Sequence, residues 1–167
     1  MSAKITNVER FTLQVPFVDR VRTEMERAGI HTWSELEITR VETDAGITGW
    51  GETIQNYTWG RVRAHERVVG QSPFATMWDD SLGAGLQMAL FDAAGKLAGV
   101  PLYQLLGTKC RDWCAISFWD HDMSPEKYAI EAQTAVALGY TSIKIKTRPW
   151  FDVRKTIRLI SEATPDH

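Results

Sequence analysis

The sequence predicts an α+β fold in two parts: a three-stranded antiparallel meander with helices, then a strand–helix–strand–helix run whose strands lie parallel. Three observations predict it. Two β-branched, alternating stretches flank the turn signal Asp44-Ala-Gly46, which makes an antiparallel hairpin. A long apolar stretch, Leu86 to Ala98, has helical spacing and is stopped by Gly99 and Pro101. Beyond Cys114, strand and helix patterns alternate singly, the grammar of parallel strands with right-handed crossovers.

Taken in order, Ile5 to Pro16 alternates well enough for a first strand. Val18 to Ser34 is charged, holds His31 and Trp33, and matches no element; segments this long without structure of their own tend to be functional. Leu36 to Thr43 and Ile47 to Thr53 are the hairpin strands. Gly60 to Val69 and Pro73 to Trp78 follow as a helix and a short turn, and Pro101 to Leu106 adds a turn stopped by Gly107. Cys114 to Trp119 reads as a strand. Ser124-Pro125 opens a helix as N-cap and first residue, with Ile130, Ala132, Ala135, Val136 and Leu138 as its core face and Gly139 as its end. Thr141 to Thr147 is the next strand, and Asp152 to Ala163 the last helix. Two such units cannot close a sheet.

The chain has 167 residues, 44% hydrophobic and 24% charged, with a formal net charge of -2. That balance offers no basic patch for nucleic acid or an anionic membrane. The N-terminus lacks an apolar signal core, and no apolar run approaches the roughly 20 residues of a membrane span. Cys110 and Cys114, in a C-x3-C pair, read as two reduced thiols of a cytoplasmic protein.

The chemistry concentrates in Thr141-Ser-Ile-Lys-Ile-Lys-Thr147. Residues two apart on a strand share a face, so Ser142, Lys144 and Lys146 point one way and Ile143 and Ile145 the other. A strand between helices in such a pattern is usually buried on both sides. Two ammonium groups roughly 6–7 Å apart repel by about 2.5 kcal/mol at an effective dielectric near 20, nearly two pKa units. Such a lysine can serve as a general base near neutral pH. The competing reading is a lysine pair guarding an exposed sheet edge. His31, Trp33, Asn56, Tyr57 and Trp59 sit in two apparent loops, where aromatic and polar groups can meet a ligand, or simply pack. Asp120, His121 and Asp122 resemble metal ligands, but consecutive residues after a strand point in different directions. Asp92 and Lys96 form an i,i+4 surface pair, and Gly83-Ala-Gly85 lacks the third glycine and preceding strand of a dinucleotide site.

Three strings resemble one family: Val41-Glu-Thr-Asp-Ala-Gly-Ile-Thr-Gly-Trp-Gly-Glu52, the stretch from Met88 to Gly107, and Ala137-Leu-Gly-Tyr-Thr-Ser-Ile-Lys-Ile-Lys146. In that order they resemble the mandelate racemase/muconate lactonizing enzyme branch of the enolase superfamily, over essentially the whole chain. The resemblance implies an α+β capping domain over residues 1–111. It implies the first two β/α units of an incomplete TIM-like barrel over 112–167, truncated before the third strand. It implies that Lys146 removes the proton α to a carboxylate and that Lys144 contacts the carboxylate and tunes the base. It also implies a small carboxylate substrate of the acid-sugar kind and a homo-oligomer in the complete enzyme. Racemisation, sugar-acid dehydration and cycloisomerisation share that first step. The family binds Mg2+ through Asp and Glu at the ends of later barrel strands, which the sequence does not reach. No metal is therefore expected on this chain, and it is expected to be an N-terminal portion, inactive alone. A non-catalytic binding module, or one half of a split enzyme, is the alternative.

Overall fold

A computed structural model describes residues 3–54 and 64–166. The backbone divides into two compact units, one of Met1–Pro16 with Thr32–Cys110, the other of Phe17–His31 with Arg111–His167.

The first unit is a sheet with helices on one face. Strands β1 (Ile5–Gln14), β2 (Glu35–Thr43) and β3 (Thr48–Ile54) form an antiparallel meander in the order β1-β2-β3. Its hairpin turns as the sequence predicts: Gly46 takes φ 73°, and the Thr43 hydroxyl and backbone close the loop against Ile47. Short helices α2 (Ala64–Val68) and α3 (Pro73–Thr76) lead to α4 (Ala84–Ala98), then α5 (Tyr103–Leu106). Helix α4 ends on a left-handed Gly99 with φ 67°. Ile5, Val41, Val68, Leu82, Leu86 and Leu90 form the core.

Helix α4 lies unusually close to β3, and two glycines permit it. A Cβ on Gly49 would fall 2.1 Å from the Ala89 carbonyl oxygen, and one on Gly51 would fall 2.0 Å from that of Gly85. The Gly49-x-Gly51 spacing puts both bare positions on one face of β3, so the helix backbone rests directly on the strand.

The second unit contains helix α1 (Asp19–Arg27), strand β4 (Phe118–Trp119), helix α6 (Pro125–Ala137), strand β5 (Ile143–Lys144) and helix α7 (Val153–Ala163). Strands β4 and β5 pair in parallel, Phe118 with Ile143 and Trp119 with Lys144, as the alternating pattern predicts. Both strands are shorter than their sequence patterns. Residues 114–117 are exposed and outside any strand, because a strand extends only as far as its partner supplies ladder bonds.

Two further expectations are corrected. Val18–Ser34 is not structureless: it holds α1 and a 3-10 turn, His31–Ser34. Helix α1 is tied to its own unit by Arg20 on Glu131, by Lys127 on Glu24 at 2.6 Å, and by Arg20 over the Phe118 ring at 5.1 Å. Helix α6 is rotated from its expected face. Tyr128, Glu131, Ala132 and Ala135 are buried, whereas Ile130 is 60% and Leu138 64% exposed. The i, i+3, i+4, i+7 spacing of the buried set is the helical stripe, and Ile130 lies off it. The start of α6 follows expectation, with Ser124 Oγ accepting the Lys127 N–H at 3.3 Å.

Candidate active site

The parallel pair carries a ladder of cross-strand contacts on one face. One step back from the paired Phe118–Ile143 and Trp119–Lys144, the register places Ser117 beside Ser142. The Ser117 and Ser142 hydroxyls are 2.7 Å apart. Lys144 Nζ sits 5.3 Å from the centre of the Trp119 ring, a cation–π contact. The Trp119 and His121 rings meet edge-on at 5.5 Å. Lys146 lies two residues past the end of β5, and its charge, like that of Lys144, acts on His121. Both lysines are more open than the sequence reading expects: Lys144 is exposed and Lys146 half-buried. The other face packs, with Phe118 edge-on to Tyr140 at 5.2 Å.

His121 collects the charge of this face. Burial first, then the positive charges of Lys146, Arg148 and Lys144, hold its imidazole below the ordinary range, while Asp122 opposes them. Its Nδ1 accepts the Asp122 backbone N–H at 2.7 Å and lies 2.9 Å from Asp122 Oδ2. In the neutral ring Nδ1 is therefore the acceptor; on protonation it turns donor to the carboxylate. Asp122 is itself clamped by Arg148, Nε to Oδ1 at 2.8 Å and Nη2 to Oδ2 at 2.6 Å. This bond is the leading cause that holds Asp122 below the usual carboxylate range.

Asp120 stands apart. It is 2% exposed, neither carboxylate oxygen has a hydrogen-bond partner among the described residues, and burial pushes its pKa up to about 6 against the charge of Arg20. Asp120, His121 and Asp122 do not gather as a ligand set. Among the described residues no group of three His, Cys, Asp or Glu side chains could hold a metal ion.

An open cleft of about 510 Å³ lies within the same unit, lined by Glu24, Arg27, Asp122, Arg148, Trp150 and Phe151 among others. The lysines do not line it, but Asp122 and Arg148 connect it to their network. Of the predicted loop residues, His31 begins the 3-10 turn, Trp33 is half-buried within it, and Asn56, Tyr57 and Trp59 lie outside the described residues. Asp92 and Lys96 form the expected pair at 2.6 Å. Sequence reasoning missed Arg148 and Tyr128. Arg148 carried a signal, since it continues the period-two spacing of Lys144 and Lys146. Tyr128 carried none.

A meander with helices, followed by parallel β/α units bearing a Lys-x-Lys strand, defines a class of barrel proteins with an α+β domain ahead of the barrel. No protein-family profile matches the chain. It is 32% identical to the D-galactonate dehydratase of Xanthomonas campestris pv. campestris, across 74% of this chain and 36% of that enzyme. Two solved structures share the fold. The 2-chloromuconate cycloisomerase of Rhodococcus opacus 1CP has a TM-score of 0.71 at 18% identity, over 100% of this chain and 49% of that one. An enolase from Pseudomonas fluorescens Pf0-1, with bound magnesium, potassium and tartrate, has a TM-score of 0.67 at 18% identity, over 100% and 51%. The chain spans about a third of the length of the curated relatives it matches. These likenesses in sequence and fold support the mandelate racemase/muconate lactonizing enzyme branch of the enolase superfamily.

Proposed function

We propose that this chain supplies the capping domain, residues 1–111, and the opening of the catalytic barrel, residues 112–167, of an enzyme that abstracts the α-proton of a small acid-sugar carboxylate. The observation that supports the reading is the Lys144-x-Lys146 pair at the end of β5, with Lys144 over the Trp119 ring and the charges of both lysines acting on His121. In this reading Lys144 contacts the substrate carboxylate. Lys146 Nζ takes the proton from the adjacent carbon, and the C–H electron pair passes into the carboxylate as an enediolate. Dehydration is the favoured outcome because the curated relatives are named as D-galactonate dehydratases. His31, Trp33, Asn56, Tyr57 and Trp59 are the proposed specificity loops. The two free, exposed cysteines, Cys110 and Cys114, suit a reducing cytoplasm.

Magnesium belongs to the complete enzyme in this reading, where it stabilises the enediolate. The described residues of this chain do not fit it: they offer no cluster of ligands, and both Asp122 oxygens are engaged by Arg148. The proposal therefore assigns no metal ligand to this chain and expects no turnover from it alone.

The test replaces the matching segment of the Xanthomonas dehydratase with residues 112–167 and follows exchange of the substrate α-proton with solvent deuterium. Lys146→Ala should abolish exchange from at least one face of the carbon. Undiminished exchange would remove Lys146 as the base and return the pair to a sheet-edge role.

A further inference from the structure

The hydroxyl of Tyr128 joins the ends of the two parallel strands. The side chain projects from α6, is 1% exposed, and its oxygen lies 2.5 Å from the His121 carbonyl oxygen. The same oxygen accepts the Lys146 backbone N–H at 3.1 Å and lies 3.0 Å from the Lys146 carbonyl oxygen. A phenol has one proton to donate and lone pairs to accept, so the short contact donates to His121 and the N–H contact accepts from Lys146. The paired residues of β5 end at Lys144. Two residues later the backbone has left the sheet ladder, and the buried phenol takes over its hydrogen bonds. Burial raises the pKa of Tyr128, which keeps the hydroxyl protonated as this geometry requires.

We propose that Tyr128 is a positioning residue for Lys146: its hydroxyl fixes the backbone of Lys146 to that of His121, just past the end of β4, and so holds the Lys146 side chain near His121. Its importance to proton abstraction rests on the reading of Lys146 as base, but the positioning itself does not. A small turn of an unanchored strand end would carry the Lys146 side chain toward the opposite face, because faces alternate at every residue.

His121 reports on the arrangement, since Lys146 lowers its pKa together with burial, Arg148 and Lys144, against Asp122. The experiment is an NMR titration of the His121 imidazole in the 167-residue chain and in Tyr128→Phe, Lys146→Met and the double variant. Lys146→Met should raise the His121 pKa by removing a cation. Tyr128→Phe should also raise it, because the cation is released from its place. The double variant should sit no higher than Lys146→Met alone, the non-additivity expected of one pathway. An unchanged His121 in Tyr128→Phe, or two rises that add, would overturn the proposal. Amide hydrogen exchange of the unmodified chain supplies a check that needs no variant. The Lys146 N–H should be protected like that of Asp120, which bonds the Lys144 carbonyl at 3.0 Å. Rapid exchange at Lys146 would equally overturn it. If Lys146 proves not to be the base while this cycle holds, only the functional reading fails.

Discussion

Arg148 clamps Asp122 through two parallel hydrogen bonds, 2.8 and 2.6 Å, and the clamped carboxylate faces His121. The Asp122 pKa is depressed in the folded chain, so this bond stabilises above the ordinary carboxylate range and is lost as pH falls through the folded value. Arg148→Ala should destabilise the chain measurably at pH 7, because a largely buried carboxylate loses its charged partner. The loss should shrink as pH falls below the ordinary value of 3.8. Urea unfolding at pH 7 and pH 3 checks both statements. The same substitution should raise the pKa of His121, which loses a repelling cation and gains an unshared carboxylate.

Asp120 has the opposite sign. Its folded pKa of about 6 exceeds the ordinary 3.8, so the buried charge opposes folding as pH rises through that window and costs nothing below it. Asp120→Asn should stabilise the chain at pH 7 by about 1–2 kcal/mol, less than the full linkage of about 3 kcal/mol because the amide must also be desolvated. Below pH 4 the gain should vanish. Thermal unfolding across pH 4 to 7 would contradict this if the variant were no more stable at the upper end.

The close approach of α4 to β3 makes Gly51 intolerant of any side chain. Gly51→Ala places a methyl 2.0 Å from the Gly85 carbonyl oxygen, part of the helix backbone, which cannot swing aside. The expected cost is at least about 2 kcal/mol, at the upper end of overpacking effects. Gly46→Ala, where φ is 73° but no atom lies within 4 Å, should cost only about 1 kcal/mol from backbone strain. Denaturant midpoints of the two variants should rank in that order.

Ile116, Ile130, Leu138, Trp150 and Ile157 are all more than half exposed within the second unit. Exposed apolar side chains of this size favour association. Size-exclusion chromatography should show elution that moves earlier with concentration. A concentration-independent monomer would mean that these side chains drive no assembly.

The sequence by itself determined whatever depends on neighbours a few residues away. The hairpin at Gly46, the stop of α4 at Gly99 and the Ser124 cap of α6 all follow from local backbone geometry. Tertiary structure alone decided the rest. Helix α1 follows Val18 without a side-chain cap and is highly charged; it is fixed by Arg20, Glu24 and partners more than a hundred residues away. The lengths of β4 and β5 were set by how far each strand could pair with the other. The phase of α6 followed Tyr128, whose hydroxyl bridges two strand ends separated by 25 positions in sequence, His121 and Lys146. No local pattern encodes such a contact, because its free energy exists only once both strand ends are in place and their polar groups have left water.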